Sequence, residues 1–232
     1  MAINMLGRTR FHVLFALLLI SVFNSSGFAQ GDKKTAYAVL LDNTGSLRPQ
    51  FVQVEAFGKG VVHRTCQRGP ISLFNFRSEG IGPGSRALVT LGVEWSQDEK
   101  VLDKYIDDIY VQGGQTTLLD AIYSMAERLN AKVDMDKNSF AGKIIVIVTD
   151  GEDRVSKINE QQLIKMLRES GITVYAVGLV GDLESAGGII RKSPRDRAVD
   201  FLKNLTKETG GGVIFPKGGQ PDIDALLGQL LH

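Results

Sequence analysis

The chain has 232 residues, 43% hydrophobic and 23% charged, a make-up that fits a globular protein and excludes a disordered or fibrous one. Its 27 Lys+Arg against 26 Asp+Glu leave +1, so no global field draws it to nucleic acid or to an acidic membrane. A single cysteine, Cys66, excludes an internal disulfide framework and any cysteine-based zinc site.

Residues 1–30 differ from the rest. Arg8 and Arg10 precede an apolar run from Phe11 to Phe23, and the small residues Gly27 and Ala29 follow. A basic start, a 13-residue apolar stretch and two small residues form the pattern of a secretory signal peptide cleaved after Ala29. The run is shorter than the about 20 apolar residues of a membrane span, and the competing reading is an uncleaved N-terminal anchor. Without residues 1–29, 25 basic face 26 acidic residues, or −1, over 203 residues, the size of one domain covering 30–232. A secreted, periplasmic or extracellular location follows, with no membrane span in the mature chain. In an exported chain the lone thiol is buried or pairs with another chain, and burial as a small hydrophobe is its ordinary fate.

Ala36–Leu41 (AYAVLL) is an apolar run without helical spacing and reads as a buried strand. Phe51, Val54, Phe57 and Val61 mark a helix over Gln50–Thr65, and Ile71–Phe76 is the next strand. Ala87–Trp95, which carries Gly92, suits an edge strand, and Gln97–Ile109 has one apolar helical face. Gly113-Gly114 breaks the chain before a helix over Leu118–Leu129. Lys143–Thr149 (KIIVIVT) is apolar throughout, as a strand covered on both faces would be. A helix over Asn159–Glu169, a strand over Thr173–Leu179, a helix over Ala198–Thr209, a short strand Val213–Phe215 and a helix over Asp222–Leu231 complete the order. Strands and helices alternating at these lengths predict a three-layer α/β/α, Rossmann-like fold, its central sheet mostly parallel with one antiparallel edge strand. The glycines and mixed charges of Gly181–Asp196 read as a long mobile surface loop.

In such folds ligands bind outside the carboxyl ends of the strands. Three loops fall there: Asp42-Asn43-Thr44-Gly45-Ser46, Gly113-Gly114-Gln115-Thr116-Thr117 and Asp150-Gly151-Glu152. Each supplies hard oxygen groups without nitrogen or sulfur, a set for Mg2+, with Mn2+ or Ca2+ as alternatives. Asp42 and Asp150 bring two negative charges, and Thr44, Ser46 and Thr116 bring three neutral hydroxyls. Gly45 is expected to let the first loop fold tightly enough for both flanking hydroxyls to face one point. Taken singly, each loop reads as turn and cap chemistry. It is their order after these strands that favours a metal site.

These segments resemble the von Willebrand factor type A domains. Asp42-Asn43-Thr44-Gly45-Ser46, Gly114-Gln115-Thr116-Thr117-Leu118 and Thr149-Asp150-Gly151-Glu152 look like the three parts of that family's metal-ion-dependent adhesion site (MIDAS). The likeness runs from about Thr35 to Leu231 and implies a divalent ion on top of a Rossmann-like sheet. The family's first motif, Asp-x-Ser-x-Ser, maps onto Asp42, Thr44 and Ser46, its Thr onto Thr116 and its later Asp onto Asp150. Thr44 stands where Ser is usual, and Thr117 is one residue off the family's register. In the family the Asp residues often act through water, the hydroxyls bind directly, and an acidic residue of a protein partner completes the coordination. Glu152, Asp153 and the Gly181–Asp196 loop are then expected rim contacts.

Other chemistry fits less well. The mature chain has only His63 and His232, no Gly-x-Ser-x-Gly turn and no phosphate-binding glycine loop. A Mg2+-dependent phosphatase using Asp42 as nucleophile would want an Asp at position 44, and Thr44 is there. A structural domain of this type that binds no metal is the third reading. His63 is expected to be a surface or packing residue. The charge runs Lys132–Lys137 and Arg191–Arg197 are expected to be solvated, and the triplet Asn204-Leu205-Thr206 lies in a predicted helix.

Overall fold

In a computed structural model describing residues 33–79, 84, 86–113, 115–187, 192–217 and 221–231, the apolar runs form one six-stranded sheet. The expected leader 1–29, Gly114, residues 188–191 of the expected mobile loop and His232 lie outside the described residues. The strands are β1 (Lys34–Asp42), β2 (Ile71–Glu79), β3 (Arg86–Ser96), β4 (Phe140–Thr149), β5 (Ile172–Gly178) and β6 (Val213–Ile214), in the spatial order β3-β2-β1-β4-β5-β6. Every pair is parallel except β2 with β3, so the expected antiparallel edge strand is β3.

Alternation along the strands makes the layers. Ala36, Ala38 and Leu40 of β1, with Ile145 and Ile147 of β4, face one side of the sheet. There they pack on Ile122 of α3 (Leu118–Met135), Leu163 of α4 (Glu160–Glu169) and Leu202 of α5 (Pro194–Glu208). Tyr37, Val39 and Leu41, with Val146 and Val148, face the other side. They meet Phe57 of α1 (Phe51–Thr65), Leu102 of α2 (Glu99–Asp108) and Leu227 of α6 (Ile223–Leu230). Each such Val, Leu, Ile or Phe side chain contributes about 1.5–3 kcal/mol by leaving water. Cys66, just past α1, is fully buried, as expected of a lone thiol.

Capping explains where elements differ from the sequence expectation. A 3-10 turn over Gly45–Gln50 precedes α1, so the helix starts at Phe51. Ser193 accepts the Asp196 amide, and Pro194 follows it as the first helical residue, so α5 begins four residues before the expected Ala198. The loop expected over Gly181–Asp196 is correspondingly shorter. Arg195, in the run expected to be solvated, holds it down by donating to the carbonyls of Val180 and Gly181. Thr206 of the Asn-x-Thr triplet is buried in α5, its hydroxyl donating to the Leu202 carbonyl.

The connections place the functional edge. From β1 the chain passes through α1 to β2 on one side; from β4 it passes through α4 to β5 on the other. Yet β1 and β4 are neighbours, Leu41 pairing with Val148. The chain therefore diverges at their carboxyl ends, which opens the crevice expected at a topological switch point.

Candidate metal centre

The crevice is lined by the residues that end these two strands. Asp42 closes β1, and Thr149 and Asp150 follow the last apolar residues of β4. The third loop arrives because α2 lies on one face of the sheet and α3 on the other, so residues 109–117 must cross over the top. Backbone bonds fasten the three loops together. The Gln112 amide donates to the Asn43 carbonyl at 2.7 Å, and the amides of Arg154 and Val155 donate to the Thr116 carbonyl at 3.0 and 3.3 Å. The Asn43 side-chain amide adds a bond to the Tyr110 carbonyl at 3.0 Å.

All five expected residues are thus brought to one edge. Asp42, Thr44, Thr116 and Asp150 are buried and Ser46 is half-buried. Asp42 Oδ1 accepts from the Thr44 amide at 3.0 Å and the Thr44 hydroxyl at 2.7 Å, and Oδ2 accepts from the Thr149 hydroxyl at 2.6 Å. The hydroxyls of Thr44 and Ser46 are 3.3 Å apart. Asp150 Oδ1 accepts from the Glu152 amide at 2.9 Å, while Oδ2 is buried without a hydrogen-bond partner. The Thr117 hydroxyl beside Thr116 is also buried without a partner.

Two carboxylates held this way repel each other out of water. Burial first, and the charge of Asp150 second, push the Asp42 carboxyl up to about 7. Burial likewise raises Asp150, against the pull of the Glu152 amide and the Ser46 hydroxyl. Arg154, whose charge lowers Asp150 only slightly, is largely exposed and forms an ion pair with Glu152 at 2.8 Å. Two buried acids, an orphaned carboxylate oxygen and three hydroxyls form a donor set suited to a hard divalent cation.

Two details depart from the sequence expectation. A Cβ built on Gly45 would meet nothing, so that glycine is not what shapes the loop. Gly151 is the constrained one: its φ is +77°, and a Cβ would lie 3.0 Å from Leu202 and 3.2 Å from Ala198. Asp153 is exposed, and its carboxylate accepts from the Leu119 amide at 3.1 Å and the Ser156 hydroxyl at 2.5 Å. Glu152 stays at the mouth. With Ser46, Asp150, Arg154, Asp182, Leu183 and Glu184 it lines an open cavity of about 300 Å3. The roles of Thr149 and Asp120 went unread. Asp120, in the first turn of α3, accepts the amides of Lys157 at 3.0 Å and Ile158 at 3.1 Å, fixing the loop after β4.

Residues 38–210 match the von Willebrand factor type A domain. An aerotolerance-related membrane protein of Bacteroides fragilis superposes with a TM-score of 0.54 at 16% identity, covering 85% of this chain and 96% of that one. Proximal thread matrix protein 1 of the mussel byssus, solved with a zinc-occupied MIDAS motif, superposes with a TM-score of 0.53 at 15% identity. That match covers 79% of this chain and 41% of the mussel one. At these identities the likeness is one of fold. No curated protein sequence matches the chain.

Proposed function

The chain belongs to the von Willebrand factor type A family, and on that premise we propose that it is a divalent-cation-dependent protein-binding module of the adhesion type. Asp42, Thr44, Ser46, Thr116 and Asp150 hold the ion, Mg2+ first, with Mn2+ or Ca2+ as alternatives; the zinc-occupied motif of the mussel protein adds Zn2+ to the set to test. The observation that carries this reading is the pair of buried acids at the switch point, with Asp150 Oδ2 making no hydrogen bond among the described residues. When bound, the ion supplies a Lewis-acid position for an oxygen donor, here an exposed Asp or Glu of the partner protein. Asp182 and Glu184, beside Ser46 and Asp150 at the cavity, contribute to partner choice. The leader over 1–29 exports the domain over 30–232, which places the site outside the cytoplasm.

Binding is favoured over hydrolysis by the state of Asp42. It is 0% exposed, so its carboxylate offers an incoming phosphorus no open line of approach. Among the described residues no helix is long and apolar enough to cross a membrane. The test is a thermal melt of chelator-treated protein with each cation, beside a phosphate-ester turnover assay. A melting temperature raised by Mg2+ or Mn2+ in the wild type and not in Asp150→Ala is the expected result. Turnover that disappears in Asp42→Asn would replace binding with catalysis, and no response to any cation would leave a structural domain that binds no metal.

A further inference from the structure

The opposite edge of the sheet carries a second constellation. Ser96 pairs with Ile71, the first residue of β2, so α2 starts at the amino end of the parallel strands. His63 lies twelve residues into α1, about 18 Å from the helix start beside the MIDAS loop at 1.5 Å per residue. There His63 Nε2 is 2.8 Å from Asp103 Oδ2 and 3.6 Å from Glu99 Oε1, and the three ligand atoms all lie within 4.8 Å of one another. Glu99 and Asp103, four apart, share one face of α2, and His63 meets them from α1.

We propose that His63, Glu99 and Asp103 form a second metal site, for a borderline divalent ion such as Zn2+, independent of the oxygen-only site above. Ligands about 2.0–2.1 Å from a tetrahedral ion stand roughly 3.3–3.4 Å apart, between the two measured His63 distances. Two carboxylates and a neutral imidazole match the charge of the ion, and the imidazole nitrogen selects Zn2+ over Mg2+. A simple His–Asp ion pair would need only the 2.8 Å contact. It does not use Glu99 Oε1, nor Asp103 Oδ1, which is buried without a hydrogen-bond partner among the described residues. The outer contacts also suit a metal site. Glu99 Oε2 accepts from the Cys66 thiol at 3.7 Å, which orients the carboxylate. The nearby ammonium of Lys59 is engaged by Asp107 at 2.5 Å. The side chains of His63 and Glu99 are about half exposed, so the ion keeps a position for water or for a donor from outside.

The test is a Zn2+ titration against a competing chelator in the Asp150→Ala protein, which isolates the lower site. One Zn2+ is expected to bind, and His63→Ala or Asp103→Asn in that background should weaken it by at least about tenfold. Co2+ as a probe should give the visible bands of a four- or five-coordinate ion, lost with His63→Ala. Far-UV circular dichroism without metal shows whether each variant is folded. The same comparison in wild-type protein held in excess Mg2+ covers a misfolded Asp150→Ala. No Zn2+ uptake, or an affinity unchanged by both substitutions, overturns the proposal. Failure here leaves the upper site untouched, because no residue is shared.

Discussion

At the carboxyl edge of the sheet Asp42 and Asp150 are 0% and 1% exposed, whereas at the opposite edge the side chains of Glu99 and Asp103 keep 49% and 27% of their exposure. Both pairs could hold a cation, but for different reasons. Below, water already solvates the acids and a histidine sits among them, so ligand type decides what binds. Above, the acids have lost water and form no ion pair among the described residues, so their charge is held at a cost that a cation would offset. Burial makes the upper site a source of strain in the metal-free protein. Exposure makes the lower one nearly neutral to stability.

That contrast can be broken by mutation. The largest effect on the metal-free protein is expected at Asp42, which accepts three bonds from Thr44 and Thr149. Asp42→Ala strands buried donors at about 1–3 kcal/mol each, read as a lower midpoint in urea with chelator present. Asp150→Asn removes buried charge from a group with one free oxygen, so its metal-free midpoint should rise while the response to Mg2+ is lost. Equal destabilisation by both substitutions would show that the two acids are not held as described.

The pH dependence sharpens the same point. The Asp42 carboxyl titrates near 7 when folded against 3.8 when exposed, so between those values the folded chain keeps a proton that the unfolded chain has released. The contribution of Asp42 to metal-free stability should therefore be fully present below 3.8, fall as pH rises towards 7, and be lost above it. Stabilisation by Mg2+ should grow over the same window, because binding requires the carboxylate form. A metal-free pH dependence between 4 and 7 that is the same in wild type and in Asp42→Asn would contradict the burial argument.

Smaller effects should follow at the supports. Gly151→Ala forces a side chain into a left-handed backbone position against Leu202 and Ala198 and should cost about 1–3 kcal/mol, with weaker Mg2+ binding. His63→Ala should change the unfolding free energy in urea by no more than about 1 kcal/mol and leave the Mg2+ response intact, as expected of a half-exposed pair. A large loss of Mg2+ binding in His63→Ala would mean that the two edges are coupled.

The upper edge was readable in the sequence because its signals are local. An apolar run ending in Asp marks both β1 and β4, and the chain order of three short motifs places them on one edge once the sheet is parallel. The supports were not readable, for physical reasons. Gly45 looked like the constrained glycine because it sits inside the motif, but conformation is decided by φ and neighbours, and Gly151 packs against a helix some fifty residues further on. Asp153 gave no sign that it ties two loops together, because its partner, the Leu119 amide, lies 34 residues away. The early start of α5 was locally encoded in Ser193-Pro194, and the surrounding glycines and charges obscured it. His63 carried no signal at all, since only the packing of α1 on α2 brings it to Asp103, 40 residues on.

The central claim is that the two buried acids of the carboxyl edge exist to hold a cation. Calorimetric titration of the chelator-treated protein with Mg2+ at neutral pH, in wild type and in Asp150→Ala, tests it most directly. A saturable one-site isotherm in the wild type, absent in Asp150→Ala, is the predicted result. An isotherm that is flat in the wild type, or the same in both proteins, would contradict it.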